Sequence, residues 1–260
     1  MSFAKKIAVF SAAILSLQAL PALGASASNS LSAEQAARAE AYAYLADFGA
    51  DEEILAAAVN SSGLDVHDYL AVYYSKSNAV NKDIQFISKT FYSNAINTYS
   101  SPNEVNSVIP VNVNNLNFEG NSNVTGGHIL TCSGELAPTA ANQKLFYITF
   151  EQNTSAASVS SISPSSLSQL WIKGSDGKYD EADWNSYISC DVVGLGDVNL
   201  DGRIDITDSV YAAKIVNNTF TFTDERKQRA AADVNRDGNV TQGDIDIINH
   251  YLAHMITCFY

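Results

Sequence analysis

Oxygen-bearing side chains recur at one spacing in two stretches of this 260-residue chain, residues 197–208 (DVNLDGRIDITD) and 233–244 (DVNRDGNVTQGD), 36 residues apart. Each stretch puts oxygen donors at positions 1, 3 and 5, a Gly at 6 and a carboxylate at 12. These are Asp197, Asn199, Asp201, Gly202 and Asp208, then Asp233, Asn235, Asp237, Gly238 and Asp244. A hard divalent cation such as Ca2+ takes about six to eight oxygens at about 2.3–2.6 Å, so a short loop must fold alternate residues inward. Glycine at position 6 permits the reversal between the early donors and the late one. Position 7, Arg203 or Asn239, offers its backbone carbonyl. Position 9 is Asp205 in the first copy and Thr241 in the second, and the Thr ligates weakly, through water or not at all.

The usual loop of this kind ends in Glu, whereas both copies here end in Asp, one methylene shorter. A bidentate contact from Asp requires the following helix to sit closer to the ion. Apolar residues at three- and four-residue spacing predict helices over 206–216 and 245–253. Gly194 and Gly196 oppose a helix before the first loop, so the expected unit is loop then helix, without an incoming helix.

This duplicated unit resembles a dockerin, the calcium-dependent module that attaches proteins to a cellulosome or similar scaffold by binding a cohesin. The resemblance covers residues 194–258 and implies an all-α pair of loop-helix (F-hand) units with two Ca2+ ions. It also implies secretion and a part in polysaccharide degradation. The family's partner surface, carried to loop positions 10 and 11 and the helix beyond, falls on Ile206, Thr207, Ala213 and Lys214 in the first unit. In the second it falls on Gln242, Gly243, Asn249 and His250. The two sets differ, which puts a two-way docking mode in doubt, and apolar Ile206 and Ala213 favour the first unit as the centre of the contact. A module of this size has little core of its own, so metal binding is expected to supply folding free energy.

Residues 1–27 have the form of a secretory signal peptide: Lys5 and Lys6, an apolar run, then Ala25-Ser26-Ala27. The mature chain is expected outside the cell or on a cell-surface scaffold, with no membrane span. At 46% hydrophobic and 17% charged residues the composition is that of a globular chain. The net charge of −13 reflects in part ten carboxylates between Asp197 and Asp246, and nothing points to nucleic acid. Cys132, Cys190 and Cys258 allow one disulfide, with Cys132–Cys190 the leading pair, or three reduced thiols, as an anaerobic host implied by the resemblance would leave them.

Residues 28–103 read as a helical region. Ser32 with Gln35 forms a capping-box pattern, and Asp51, Asp65 and Asp83 are candidate caps for three further helices. Residues 104–190 read as a small all-β domain, strongest at Leu145 to Phe150, with a bulge at Asn114-Asn115. The expected architecture is therefore multidomain α+β. Catalytic residues are unknown, since neither GxSxG nor HExxH is present. About 160 residues are too few for a TIM barrel of about 250. The cluster Asp176, Asp180, Glu181 and Asp183 reads as a solvated turn, and Trp171, Tyr179, Trp184 and Tyr187 as either a sugar-stacking platform or core. Two readings of this cargo stand: an accessory or binding domain, or a diverged glycoside hydrolase.

Overall fold

The structure is a computed structural model and describes residues 32–98, 113–136 and 140–259. The expected signal peptide lies outside the described residues. The chain divides into two compact units, and the second, Val66–Leu195, is inserted in sequence between the halves of the first, Met1–Asp65 and Gly196–Tyr260.

The inserted unit is a β-sandwich. One sheet runs β10 (Tyr179–Ala182), β9 (Gln169–Lys173), β3 (Ile84–Ser93), β6 (Gly127–Leu136), β5 (Val113–Val124), with β8 (Ile162–Pro164) also on β3. The other runs β11 (Ile188–Gly194), β2 (Asp68–Ser75), β7 (Lys144–Gln152), β4 (Ile96–Thr98). Each strand pair is antiparallel. The sheets meet through aromatic rings: Phe86 of β3 stacks on Phe146 of β7 at 5.4 Å, and Phe146 stacks on Tyr73 of β2 at 4.4 Å. Tyr92 lies 5.5 Å from Phe150. Trp184, on the short helix α3 (Trp184–Tyr187), closes this cluster edge-on to Tyr73 and Phe86. The expected bulge at Asn114-Asn115 is present as a register shift, with Asn115 at φ 54.

Strands, not helices, fill residues 68–75 and 84–93, which corrects the helical expectation there. The deciding pattern has period 2: Ile84, Phe86, Ser88, Thr90 and Tyr92 are buried while the residues between them are half-buried. The three- and four-residue spacing of Ile84, Ile87 and Phe91 is coincidental, because those residues fall on opposite faces of β3. β2 is buried at every position, so it carries no alternation from which a strand could be distinguished.

None of the three cysteines is in a disulfide, so of the two readings the Cys132–Cys190 pair is the one corrected. Cys132 sits in β6 opposite Ser88, and Cys190 in β11 opposite Tyr73, on different sheets. Burial pushes the Cys132 thiol up to about 12.

The other unit is helical: α1 (Ala33–Phe48), α2 (Glu52–Ala58), α4 (Ile206–Val216), α5 (Glu225–Ala232) and α6 (Gln242–Leu252). The Ser32 capping box forms as expected, with Ser32 N donating to Gln35 Oε1 at 2.9 Å, and Asp51 caps α2. Gly49 ends α1 in the left-handed region at φ 112. α1 packs on α4 and α2 on α6, so the N-terminal helices share a core with the C-terminal segment. Leu45, Leu55, Ala213, Ile248 and Leu252 are each fully buried. The helices expected at 206–216 and 245–253 are present, the second beginning three residues earlier because Thr241 caps it. α5 is an unexpected element that runs into the second loop, so only the first loop lacks an incoming helix.

Removing the ring that bridges the two sheets is expected to cost about 3–5 kcal/mol. Phe146→Ala should therefore lower the denaturant midpoint of the β unit, followed by tryptophan fluorescence, since Trp184 belongs to the same cluster. Cys132 is expected to resist a thiol reagent at pH 8 until the β unit unfolds.

Candidate metal-binding loops

The two loops fold into matching hydrogen-bonded cages. In the first, Asp208 Oδ1 accepts from Asn199 N at 3.0 Å and Oδ2 from Asp205 N at 2.8 Å. Asp197 Oδ2 accepts from Gly202 N at 2.9 Å, and Asp201 Oδ1 from Arg203 N at 2.9 Å. The second repeats this with Asp244 and the Asn235 and Thr241 amides (3.2 and 2.9 Å), Asp233 and Gly238 N (3.0 Å), and Asp237 and Asn239 N (2.8 Å). Backbone conformation repeats as well. Position 4 is left-handed in both, Leu200 at φ 64 and Arg236 at φ 62, and so is position 6, Gly202 at φ 91 and Gly238 at φ 95.

Helix capping accounts for the two departures in sequence. Position 9 is the N-cap of the helix that follows: Asp205 accepts from Thr207 N at 2.7 Å and Thr241 Oγ1 from Gly243 N at 3.2 Å. Asp and Thr both serve that purpose, so position 9 is free to differ between copies. Position 12 is the third residue of the same helix and reaches back to the position-9 amide, closing a capping box. An aspartate is long enough for that reach.

The carboxylates that close the loops are buried: Asp208 and Asp244 are 0% exposed, Asp197 3% and Asp233 5%. Burial pushes the Asp208 carboxyl up to about 8 and Asp197 to about 6, against amide hydrogen bonds that pull them down. Asp244 is raised for the same reason. Among the described residues no three His, Cys, Asp or Glu side chains form a ready-made metal cluster. The donor set fits a hard cation only when the Asn side chains at position 3 and the carbonyls at position 7 are included with the carboxylates, which is the mixed oxygen set such ions take.

A family model, Dockerin type I domain, matches residues 195–253. The chain carries a dockerin type I domain. No curated protein and no solved structure matches the chain. Dockerins are generally calcium-binding and typically partner with cohesin-bearing scaffold proteins.

Within this dockerin, the residues expected at the partner surface are divided. Ala213 is 0% exposed and Asn249 2%, where Ser209 Oγ donates to Asn249 Oδ1 at 2.7 Å across the α4–α6 contact. Both are buried in the full chain, where α1 packs on α4 and α2 on α6, so neither is exposed on the partner surface expected for it. Ile206, Thr207, Lys214, Gln242 and His250 are half-buried and Gly243 is exposed. The short strand β12 (Arg203–Ile204), at positions 7 and 8 of the first loop, pairs with β1 (Leu64–Asp65), a link with no counterpart in the motif.

In the β unit, Asp176, Asp180, Glu181 and Asp183 are exposed, but only Asp176 lies in a turn: Asp180 and Glu181 belong to β10 and Asp183 immediately precedes α3, which corrects the reading of the cluster as one turn. Trp184 lies in the core at 7% exposure, so the four-ring sugar platform does not form. His128 stacks on Tyr92 at 5.1 Å and pairs with Asn123, while Cys132 is fully buried.

A carboxyl whose pKa rises on folding holds its proton more tightly in the folded state. Its stabilisation is complete below the ordinary value of 3.8 and is lost, for Asp208, as pH rises through about 8. In metal-free buffer the helical content at 222 nm is therefore expected to be more heat-resistant at pH 5 than at pH 8.5. Asp208→Asn should remove most of that difference.

Proposed function

We propose that this chain is an exported component of a cellulosome-type assembly, attached by its dockerin to the cohesin of a scaffold protein in a calcium-dependent manner. The observation that carries this reading is the pair of oxygen cages with matching hydrogen bonds within residues 195–253, the segment that the dockerin model matches. Two Ca2+ ions are held in F-hand fashion, the first by Asp197, Asn199, Asp201, the Arg203 carbonyl, Asp205 and Asp208. The second is held by Asp233, Asn235, Asp237, the Asn239 carbonyl, Thr241 and Asp244. Calcium supplies the positive charge for which buried carboxylates otherwise retain protons, so loading and folding are one equilibrium.

The β-sandwich is the cargo, with an accessory or binding role in polysaccharide degradation. Two of its strand carboxylates are engaged by neighbours, which supports that role over hydrolysis: Glu135 accepts from Gln85 Nε2 at 3.0 Å and Glu151 lies 3.8 Å from His67 Nε2.

Calorimetric titration of the full chain should register two calcium ions, with Asp197→Ala and Asp233→Ala each losing one. Binding to an immobilised panel of type I cohesin modules should appear with calcium and vanish with chelator. Calcium-independent binding, or a calcium-loaded chain that captures no cohesin in the panel, would sink the docking reading.

A further inference from the structure

Four of the five half-buried members of the expected docking set, Ile206, Thr207, Lys214 and His250, face the N-terminal helices of their own chain, as does the buried Asn249. Ile206, Thr207 and Lys214 of α4 line a cleft of about 710 Å³ whose opposite wall is Ala37, Ala41 and Tyr44 of α1. Asn249 and His250 of α6 line a second cleft, of about 370 Å³, walled by Asp51 and Ile54 at the start of α2. The pairing is one to one, α1 on α4 and α2 on α6. A single helical hairpin thus lies over both units through which a dockerin engages its partner.

We propose that residues Ala33–Ala58 are a built-in cover for the dockerin's scaffold-binding face, and that docking requires this hairpin to move aside. The inference rests on the cohesin-docking reading above. A protein contact of ordinary size needs about 800 Å² on each partner. At about 1.5 Å per residue, the 16 residues of α1 extend about 24 Å and the 11 of α4 about 16 Å, so α1 is long enough to shadow all of α4.

The way the cover is held suits release. Leu45, Leu55, Ala58 and Val59 are fully buried, Leu45 and Leu55 in the core shared with α4 and α6, and Arg38 Nη1 donates to Val59 O at 3.0 Å to tie α1 to the end of α2. Along α4, in contrast, small side chains leave the open cleft, and Asn217 Nδ2 donates to Tyr44 Oη at a long 3.4 Å. Unfilled space forfeits dispersion contacts, so this is the weaker seam. Beyond the hairpin, Gly63 at φ 85 turns the chain into the β1–β12 ladder, which pairs Leu64 with Ile204 and Asp65 with Arg203. The root of the hairpin is therefore fixed beside the first calcium loop, and opening begins along the α4 cleft. In the covered state apparent cohesin affinity is reduced by the fraction of molecules that are open.

The test fixes the cover in the full chain. Tyr44→Cys with Asn217→Cys, in a Cys190→Ser, Cys258→Ser background, is joined by a short bis-maleimide or, as the control, capped with N-ethylmaleimide. Association with the type I cohesin panel is followed by biolayer interferometry in calcium. Ala41→Glu, which places a carboxylate in the cleft beside Glu34, Glu40 and Asp205, supplies an opened form. The expected result is association at least tenfold slower for the cross-linked chain than for the capped one, and faster for Ala41→Glu. Equal rates in all three overturn the cover and leave docking standing. Faster association on cross-linking, or slower with Ala41→Glu, overturns it in favour of helices that join the contact. Failure of all three forms to bind, with two calcium ions loaded in each, overturns the docking reading and the cover with it.

Discussion

Two buried aspartates organise the helical unit. Asp208 and Asp244 are fully enclosed, yet each accepts from the amide of loop position 3 with one oxygen and of position 9 with the other. Each therefore joins the start of its loop to the start of the helix that follows, fixing the loop's curvature and the helix's N-terminus in one interaction. The cost is carboxylates taken out of water: burial pushes the Asp208 carboxyl up to about 8 and that of Asp197, at the start of the same loop, to about 6. On the proposed reading a divalent cation would offset that cost and couple binding to folding, since the same two side chains would serve both.

The cages were almost entirely legible in the sequence. Donor spacing, the position-6 glycines and the helices after each loop all follow from residue types, because short-range backbone geometry dictates them. What spacing alone obscured was why position 9 varies and position 12 is Asp; both follow from capping, a role that appears only once the helix start is located at Ile206 and Gln242. α5 was hidden by its composition. Its Glu225–Arg229 pair and alanines form an acceptable helix but present no apolar periodicity.

Beyond the loops the sequence was less informative. The capping box at Ser32 and the strand at Leu145 to Phe150 stood out, whereas β2 imitated a helix because a strand buried on both faces loses its alternation, and β3 because Ile84, Ile87 and Phe91 fall by coincidence at helical spacing. Long-range assembly was invisible. No residue of α1 or α2 announces that its Ala-rich face packs on α4 and α6 from more than 150 residues away. The β-sandwich is inserted into that helical unit in sequence, so a linear division into leader, helical region, β domain and docking module misses the association of the first helices with the last.

If the position-12 aspartates govern the helical unit as a whole, calcium must order the N-terminal hairpin along with the loops. Hydrogen exchange of the full chain with and without calcium measures this directly. Protection is expected to rise together in α1, α2, α4 and α6, with β2, β3, β6 and β7 unchanged. A rise confined to α4 and α6, with α1 and α2 exchanging alike in both conditions, would contradict a single calcium-organised unit.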